Sequence, residues 1–422
     1  MRAWGESALV CSKKKAVIMV QKTRNVLALL GPAFVAAVAY VDPGNFAANF
    51  SAGAKYGFLL LWVLVVANLM AMMVQYLSAK VGIVTGKSLP EVVGEKLPRP
   101  ARLMYWAQAE MVAVACDIAE IVGGAIALNI LFDIPLIVGG IITGIVSMVL
   151  LLVYGHRKKQ YFERLVIAMM CIIPIGFIVG LFMQPADPIQ LAGGLIPRFA
   201  GQETLLLATA MLGATIMPHV VYLHSALARD RHGKVETSLV KKYLRITRVD
   251  VGIAMVFAGG VNISMLVLAA TALQGQADTD SLQGIFHALG NSLSPVVAYL
   301  FAIALLISGF VSTSVGSQAG AVIMQGLLNR KISLFARRLI TIIPALAVLA
   351  FGIDPTQALI VSQIGLSFGV PFALIPLAMI TSSRRIMGVH INQKWVTIAV
   401  AGIAGIVSLL NLALIGLTLL SQ

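Results

Sequence analysis

The stretch Gly31-Pro32-Ala33-Phe34-Val35-Ala36-Ala37-Val38-Ala39-Tyr40-Val41-Asp42-Pro43-Gly44-Asn45-Phe46 puts a carboxylate, a proline and a glycine inside an apolar run covering residues 26–52. That run is long enough to cross a bilayer, whose hydrocarbon core takes about 20 residues of helix. A carboxylate near the middle of such a segment is costly, so Asp42 is a candidate functional residue on position alone. Pro43 removes a backbone donor and disrupts the preceding turn, and Gly44 tolerates almost any backbone geometry. The helix is expected to break where the charge sits. A broken membrane helix frees carbonyl oxygens, and these can bind a cation where they line a cavity.

The rest of the chain has the same character. It has 422 residues, 59% of them hydrophobic and 11% charged. That balance excludes a soluble globular protein and indicates an all-α integral membrane protein. The apolar runs are too long for the alternating strands of an outer-membrane barrel. The cysteines Cys11, Cys116 and Cys171 show no paired spacing and read as reduced, small apolar residues. The net charge of +14 resides in short connections between apolar runs, which points to topology and anionic lipid, not to nucleic acid.

Eleven spans are expected, near residues 26–52, 57–82, 102–131, 134–154, 163–184, 202–228, 249–273, 293–327, 335–351, 356–381 and 395–420. With the connections assigned alternately to two sides, all of the 31 Lys and Arg residues except Lys55 and Arg198 fall on one side. The positive-inside rule then puts the N-terminus, with residues 1–25 as a cytoplasmic tail, inside the cell, and the C-terminus outside. Lys13, Lys14 and Lys15 lack the apolar core and cleavage site of a secretory signal behind them. The connection 229–248 is the most basic and is expected to be a solvated loop. His156, His232, His287 and His390 are also expected in loops. Residues 26–422 read as one membrane domain.

A second break is expected in the sixth span, where Pro218 interrupts Gly213-Ala-Thr-Ile-Met-Pro-His-Val-Val-Tyr-Leu-His224. The first and sixth spans are five apart and so run in opposite directions. Asp42 and Met217 lie at similar depths in them. Two antiparallel broken helices at equal depth suggest an inverted repeat, residues 26–184 against 202–381, with 395–420 appended. That is the architecture of alternating-access transporters, and the paired breaks mark the substrate site.

If the breaks face each other, the site offers the Asp42 carboxylate, the Asn45 amide oxygen, the Met217 thioether and the carbonyls of Ala39 and Ala214. Oxygen donors with one negative charge suit a hard or borderline divalent cation, and a thioether adds preference for softer metals. The set favours Mn²⁺ or Fe²⁺, with Cd²⁺ as a mimic. Gln363, beside Ser362 in the tenth span, either completes this shell or bonds a neighbouring helix. The third span carries Glu110, Asp117 and Glu120 over an arc of about 80° and about 15 Å of rise. Such a stripe reads as a proton route or as carboxylates paired with Arg337 and Arg338. His219, beside the second break, is either a proton carrier or a hydrogen-bonded structural histidine. The polar stretch Ser308–Gly326 is close packing or a pathway wall. There is no HExxH, no paired CxxC and no phosphate-binding glycine loop with its lysine, so the residues do not point to an enzyme.

Asp42-Pro-Gly-Asn45, Met217-Pro-His219 followed by Tyr-Leu-His224-Ser, and Asp117-Ile-Ala-Glu120 together resemble the natural resistance-associated macrophage protein (Nramp) family of proton-coupled divalent-metal transporters. The resemblance is to its bacterial manganese-transporting branch and runs through all eleven expected spans. Gln75-Tyr-Leu-Ser-Ala-Lys80, Ala319-Gly320, Met324-Gln-Gly326, Arg337-Arg338, Ser362-Gln363 and Pro371-Phe372 carry it further. It implies a LeuT-like fold and metal ligation by Asp42, Asn45, Met217 and the Ala214 carbonyl, with Ala39 and Gln363 joining in some conformations. It implies proton transfer through Asp42, His219, Asp117 and Glu120, with Glu110 and Arg338 in the surrounding network. It implies no resident cofactor, with metal ion and protons as cargo. A monomer in contact with membrane lipid is the expected working unit. Val220 stands where the family usually has Asn, and Phe310 where it usually has Gln; neither removes a proposed ligand. Met217 argues against the magnesium-transporting relatives. Two rival functions are a sodium-coupled carrier of amino acids or small organic solutes with the same architecture, whose substrate carboxylate Asp42 would repel, and a membrane-bound metal sensor.

Overall fold

The computed structural model describes residues 31–155, 159–233, 235–329 and 333–420. The tail at residues 1–25, residues 26–30 of the first expected span and His156 lie outside the described residues. In chain order the helices are α1 Pro32–Val38, α2 Pro43–Tyr56, α3 Leu61–Thr85, α4 Leu89–Lys96, α5 Arg99–Phe132, α6 Leu136–Gly155, α7 Lys159–Ile172, α8 Pro174–Met183 and α9 Pro188–Gly193. They continue as α10 Gln202–Thr215, α11 Pro218–His232, α12 Thr237–Ala272, α13 Leu282–Ser292, α14 Pro295–Leu328, α15 Leu334–Ala350, α16 Pro355–Thr381, α17 Arg384–Met387 and α18 Lys394–Leu420.

Among the described residues, eight helical segments are long and apolar enough to cross a membrane: α3, α5, Glu163–Met183, Gln202–His232, α12, α14, α16 and Lys394–Leu417 of α18. The other expected spans are carried by shorter pieces. The first is Pro32–Val41 followed by α2, the fourth contains the apolar helix Leu136–Leu150, and the ninth is the 17-residue α15. Large apolar side chains such as Met104, Phe182, Val256, Ile340 and Met379 point outward. A surface of that kind would drive association in water and is the expected face toward lipid.

Both expected breaks are present. α1 gives way to a 3-10 turn at Ala39–Val41, and α2 starts afresh at Pro43. In the sixth span α10 ends at Thr215 and α11 begins at Pro218. In each case proline takes the first helical position, where its missing N–H costs nothing. A further break, not expected, divides the fifth span at Pro174.

The connection 229–248 is not a solvated loop. α11 runs to His232, and α12 begins at Thr237, well before the apolar span starts. Val240, Tyr243, Leu244 and Ile246 are buried there against Ala79, Ile83 and Ala228. An amphipathic face at helical spacing holds this basic segment in a helix, although its charge keeps it out of any apolar span. The histidine expectation needs the same correction: His232 ends α11, buried, with its ring 4.9 Å from that of Tyr243. His287 lies in α13 and His390 in a short 3-10 turn.

Packing fixes the two halves of the first span. Phe46 and Phe50 of α2 meet Phe177 of α8 and Phe301 of α14, with ring centroids 5.6 Å apart for Phe46–Phe177 and 4.9 Å for Phe50–Phe301. These aromatic contacts anchor α2 beyond their buried area. α1 is held differently. The Asp250 carboxylate of α12 accepts from the backbone N–H of Gly31 at 3.1 Å and of Ala33 at 3.2 Å. A side chain distant in sequence thus satisfies donors that a helix start leaves open, and puts negative charge at its positive end. On another face, Gly140 and Gly144 of α6 lie against Leu349, Leu346 and Ile342 of α15 so closely that an added methyl would press into them.

Candidate functional site

Asp42 sits between the halves of the first span with extended backbone (φ −83°, ψ 167°) and caps α2. Its Oδ1 accepts from the Asn45 backbone N–H at 2.9 Å and from the Asn45 side-chain amide at 2.6 Å. Its Oδ2 accepts from the Gln363 amide of α16 at 3.0 Å. The Asn45 amide also donates to the Ala214 carbonyl, in the last turn of α10, at 3.2 Å. The two breaks therefore meet, as their equal depth suggests, and α16 closes the third side.

The meeting is tight because glycine permits it. A Cβ on Gly44 would overlap the Gln363 side chain, and one on Gly213 would overlap the Gln363 carbonyl. Asp42, Asn45 and Gln363 are fully buried, as are Ala214 and Met217, and Ala39 is 1% exposed. Met217 is the residue before Pro218 and the N-cap of α11.

Among the described residues, two acceptors at this centre have no partner: Asn45 Oδ1 and Gln363 Oε1. A buried acceptor left unsatisfied costs about 1–3 kcal/mol, so the pair is an unspent donor set beside a buried carboxylate that no cation pairs with among the described residues. Among the described residues no group of three or more His, Cys, Asp or Glu converges on a point. The atoms that meet here are one carboxylate with two side-chain amides and the Ala214 carbonyl, while Met217 lies three residues after Ala214 and Ala39 three before Asp42.

The carboxylates of α5 continue from this centre. Asp117 forms a wholly buried ion pair with Arg338 of α15 at 2.6 Å, and Arg338 also donates to Ser147 at 3.0 Å. Glu110 pairs with Arg337 at 2.8 Å, and Arg337 approaches Asp117 at 3.9 Å. Ion pairing thus accounts for Glu110 and Asp117. It does not account for Glu120, which is 1% exposed and has Cys116 Sγ at 3.5 Å from its Oε1 while its Oε2 has no partner. Glu120 lies against Gly316 of α14, where a Cβ would come within 2.9 Å of Oε1. His219 is buried, and among the described residues neither ring nitrogen has a partner. His224 differs, since its Nδ1 lies 2.7 Å from Gln75 Oε1. The polar stretch of α14 packs on α5 through Gly309 and Gly316, and it also leaves the buried Ser312, Ser317 and Gln318 side chains unpartnered. Packing and a polar wall coexist there.

Sequence reasoning missed the residues that make the first break affordable. Asn262 of α12 donates to the Tyr40 carbonyl at 2.7 Å, and Ser308 of α14 donates to the Val41 carbonyl at 2.5 Å. They cover oxygens that the unwound turn exposes. Asn262 also accepts from Asn49 of α2 at 3.0 Å. The available signals were Asn262 in the middle of the seventh span and Ser308 at the start of the polar stretch in the eighth. Of the family departures, Val220 is fully buried in α11 beside His219, and Phe310 is half-buried on α14.

Fold and site together define a polytopic membrane protein built around two opposed broken helices, with a buried, oxygen-rich centre between them. The sequence profile described as natural resistance-associated macrophage protein-like matches residues 33–417, and the chain belongs to the Nramp family. It is 54% identical over 415 residues to the divalent metal cation transporter MntH of Mycobacterium tuberculosis, covering 97% of each chain. It is 46% identical to the Bacillus subtilis protein of the same name, covering 93% of this chain and 92% of that one. The crystal structure of the Eremococcus coleocola manganese transporter superimposes with a TM-score of 0.82 at 32% identity, covering 92% of this chain and 86% of that one. Mhp1, a nucleobase-cation-symport-1 family transporter, matches with a TM-score of 0.55 at 13% identity over 83% of this chain and 77% of that one, a likeness of fold alone. These likenesses agree with the LeuT-like fold expected.

Proposed function

We propose that this protein imports divalent transition-metal ions, Mn²⁺ foremost with Fe²⁺ and Cd²⁺ accepted, by proton-coupled alternating access across the plasma membrane. The observation that carries the proposal is the meeting of the Asp42 carboxylate, the Asn45 and Gln363 amides and the Ala214 carbonyl at two opposed helix breaks. The names borne by the relatives, a divalent metal cation transporter and a manganese transporter, support the same cargo.

The ligands of the transported ion are Asp42, Asn45, Met217 and the Ala214 carbonyl, with the Ala39 carbonyl and Gln363 entering in some conformations. The Asn45 and Gln363 amides direct their N–H groups onto Asp42. Metal entry rotates both amides and presents Asn45 Oδ1 and Gln363 Oε1, the two atoms that otherwise lack a partner. An amide that donates a hydrogen bond to the carboxylate in one orientation and offers its oxygen to the metal in the other suits a site that binds and releases an ion. The Met217 thioether biases the shell against Mg²⁺ and Ca²⁺, which take oxygen ligands. Protons move through Asp42, His219, Asp117 and Glu120, with Glu110 and Arg338 supporting the network. An inside-negative potential of 100 mV adds about 4.6 kcal/mol of drive for a doubly charged ion.

The unit is a single membrane transport domain over 26–422, with repeats at 26–184 and 202–381 and an appended helix at 395–420. It works as a monomer among membrane lipids, with a cytoplasmic N-terminus and an extracytoplasmic C-terminus. No observation favours the organic-solute or sensor readings.

The test is Mn²⁺ uptake into proteoliposomes, with Ca²⁺ and Mg²⁺ as competitors. Wild type should take up Mn²⁺ against a large excess of either. Met217→Ala should keep uptake but lose that preference by about tenfold or more. An unchanged ion profile would make Met217 a packing residue, and no uptake by folded wild type would overturn the function.

Gly44→Ala should act through Gln363, which its methyl displaces from Asp42. Mn²⁺ affinity should fall by about tenfold, the size of effect seen when groups orienting metal ligands are lost. On a Gln363→Ala background the same substitution should add little. An equal loss on both backgrounds would show a backbone effect instead.

A further inference from the structure

Lys80 is one residue of the sequence motifs that transport does not use. It lies near the end of α3, 7% exposed, and its Nζ donates to Asn392 Oδ1 at 2.6 Å. That partner is neutral. A buried ammonium normally finds a carboxylate, because an amide oxygen replaces only part of its hydration. Its surroundings add further positive charge. Arg248 of α12 lies within electrostatic reach of Lys80, and its guanidinium sits 5.2 Å from the ring centroid of Tyr76, one turn before Lys80 on α3. Lys241 lies two turns earlier than Arg248 on α12. Both it and Lys80 act on His390, whose pKa is lowered first by burial and then by these two charges. The Nε2 atom of His390 is buried without a partner. Among the described residues, none of these cations forms an ion pair with a carboxylate.

Three elements thus bring Lys80, Arg248, Lys241 and His390 together with no anion among them. Like charges gathered in one place repel, and one of these is buried. A phosphate oxyanion would offset both costs and would accept from the lysines, the guanidinium and the imidazole. The same corner borders strongly exposed apolar side chains: Val389 beside His390, and Trp395 and Ile398 at the start of α18, are 80%, 63% and 71% exposed. Tryptophan next to basic residues at a helix end marks the membrane–water interface. We infer that Lys80, Lys241, Arg248 and His390 form a binding site for a phosphate group, supplied by the headgroup of an anionic membrane lipid whose acyl chains lie along α18. The inference does not depend on the transport reading.

The test uses full-length protein reconstituted in phosphatidylcholine vesicles with or without phosphatidylglycerol. Retained lipid is measured by native mass spectrometry, and stability by thermal unfolding. The variant Lys241→Gln/Arg248→Gln removes two exposed cations and leaves Lys80 in place. Lys242→Gln/Arg245→Gln removes the same charge from other positions on the same helix. Wild type and the control should retain phosphatidylglycerol selectively and melt higher in its presence. The site variant should lose that selectivity by about fivefold per cation removed and show no gain in melting temperature. Inorganic phosphate added to pure phosphatidylcholine vesicles distinguishes the source. Stabilisation of wild type but not of the site variant would support the same site with a soluble anion. Equal phosphatidylglycerol retention by wild type and site variant, or equal loss in the control, would overturn the site and leave Lys80 as a structural tie to Asn392.

Discussion

Replacing Asp42 by alanine should lower Mn²⁺ uptake by at least about a hundredfold, the loss expected when a metal ligand and not merely its support is removed, while the protein still folds. Asp42 has two roles that can be separated. As the N-cap of α2 it accepts the Asn45 backbone N–H at 2.9 Å, and loss of such a cap costs about 1 kcal/mol. As a buried carboxylate without a cation it also carries a desolvation penalty, which the substitution relieves. Net stability should therefore change little. Asp42→Asn keeps a capping oxygen and removes the charge. It should transport as poorly as the alanine variant while melting at or above the wild-type temperature. Uptake and thermal unfolding, measured on both variants, check this. Wild-type uptake by either would remove Asp42 from the metal site.

The second large effect concerns Arg338. Its pair with Asp117 at 2.6 Å is wholly buried, and Arg338 Nε is further fixed by Ser147. Removing one member of such a pair leaves the other charge stranded, which typically costs about 3–5 kcal/mol. Arg338→Ala should therefore unfold readily in detergent. Arg338→Met combined with Asp117→Asn, which removes both charges and keeps most of the volume, should recover most of the loss. If proton transfer runs through Asp117, the double variant should still fail to couple proton flux to metal entry. A single variant as stable as wild type would contradict the burial argument. A stable double variant with normal coupling would reduce the pair to structure alone.

The parts of the fold that were legible in sequence are those set by strong local chemistry. Pro43 and Pro218 broke their spans where expected because proline within an apolar helix removes a donor that lipid cannot replace. The convergence of Asp42, Asn45 and Ala214 followed from equal depth in antiparallel spans, whereas depth alone left Gln363 open between this centre and a neighbouring helix. Less legible was whatever depends on a partner distant in sequence. Nothing near Gly31 announces that Asp250 caps α1, and nothing near Tyr40 or Val41 announces Asn262 and Ser308. The early start of α12 was lost for another reason. Its buried Val240, Tyr243 and Leu244 alternate with Lys241, Lys242 and Arg245, and charge outweighed periodicity in the reading.

The most direct test of the central claim is Mn²⁺ uptake into proteoliposomes that carry a pH-sensitive dye inside, with an inside-negative potential and no initial pH gradient. The account predicts that added Mn²⁺ enters and acidifies the interior together, and that Asp42→Ala abolishes both signals. Metal entry without acidification would contradict proton coupling and leave the α5 carboxylates as a structural ion-pair network. Absence of metal entry by correctly folded wild-type protein would contradict the account as a whole.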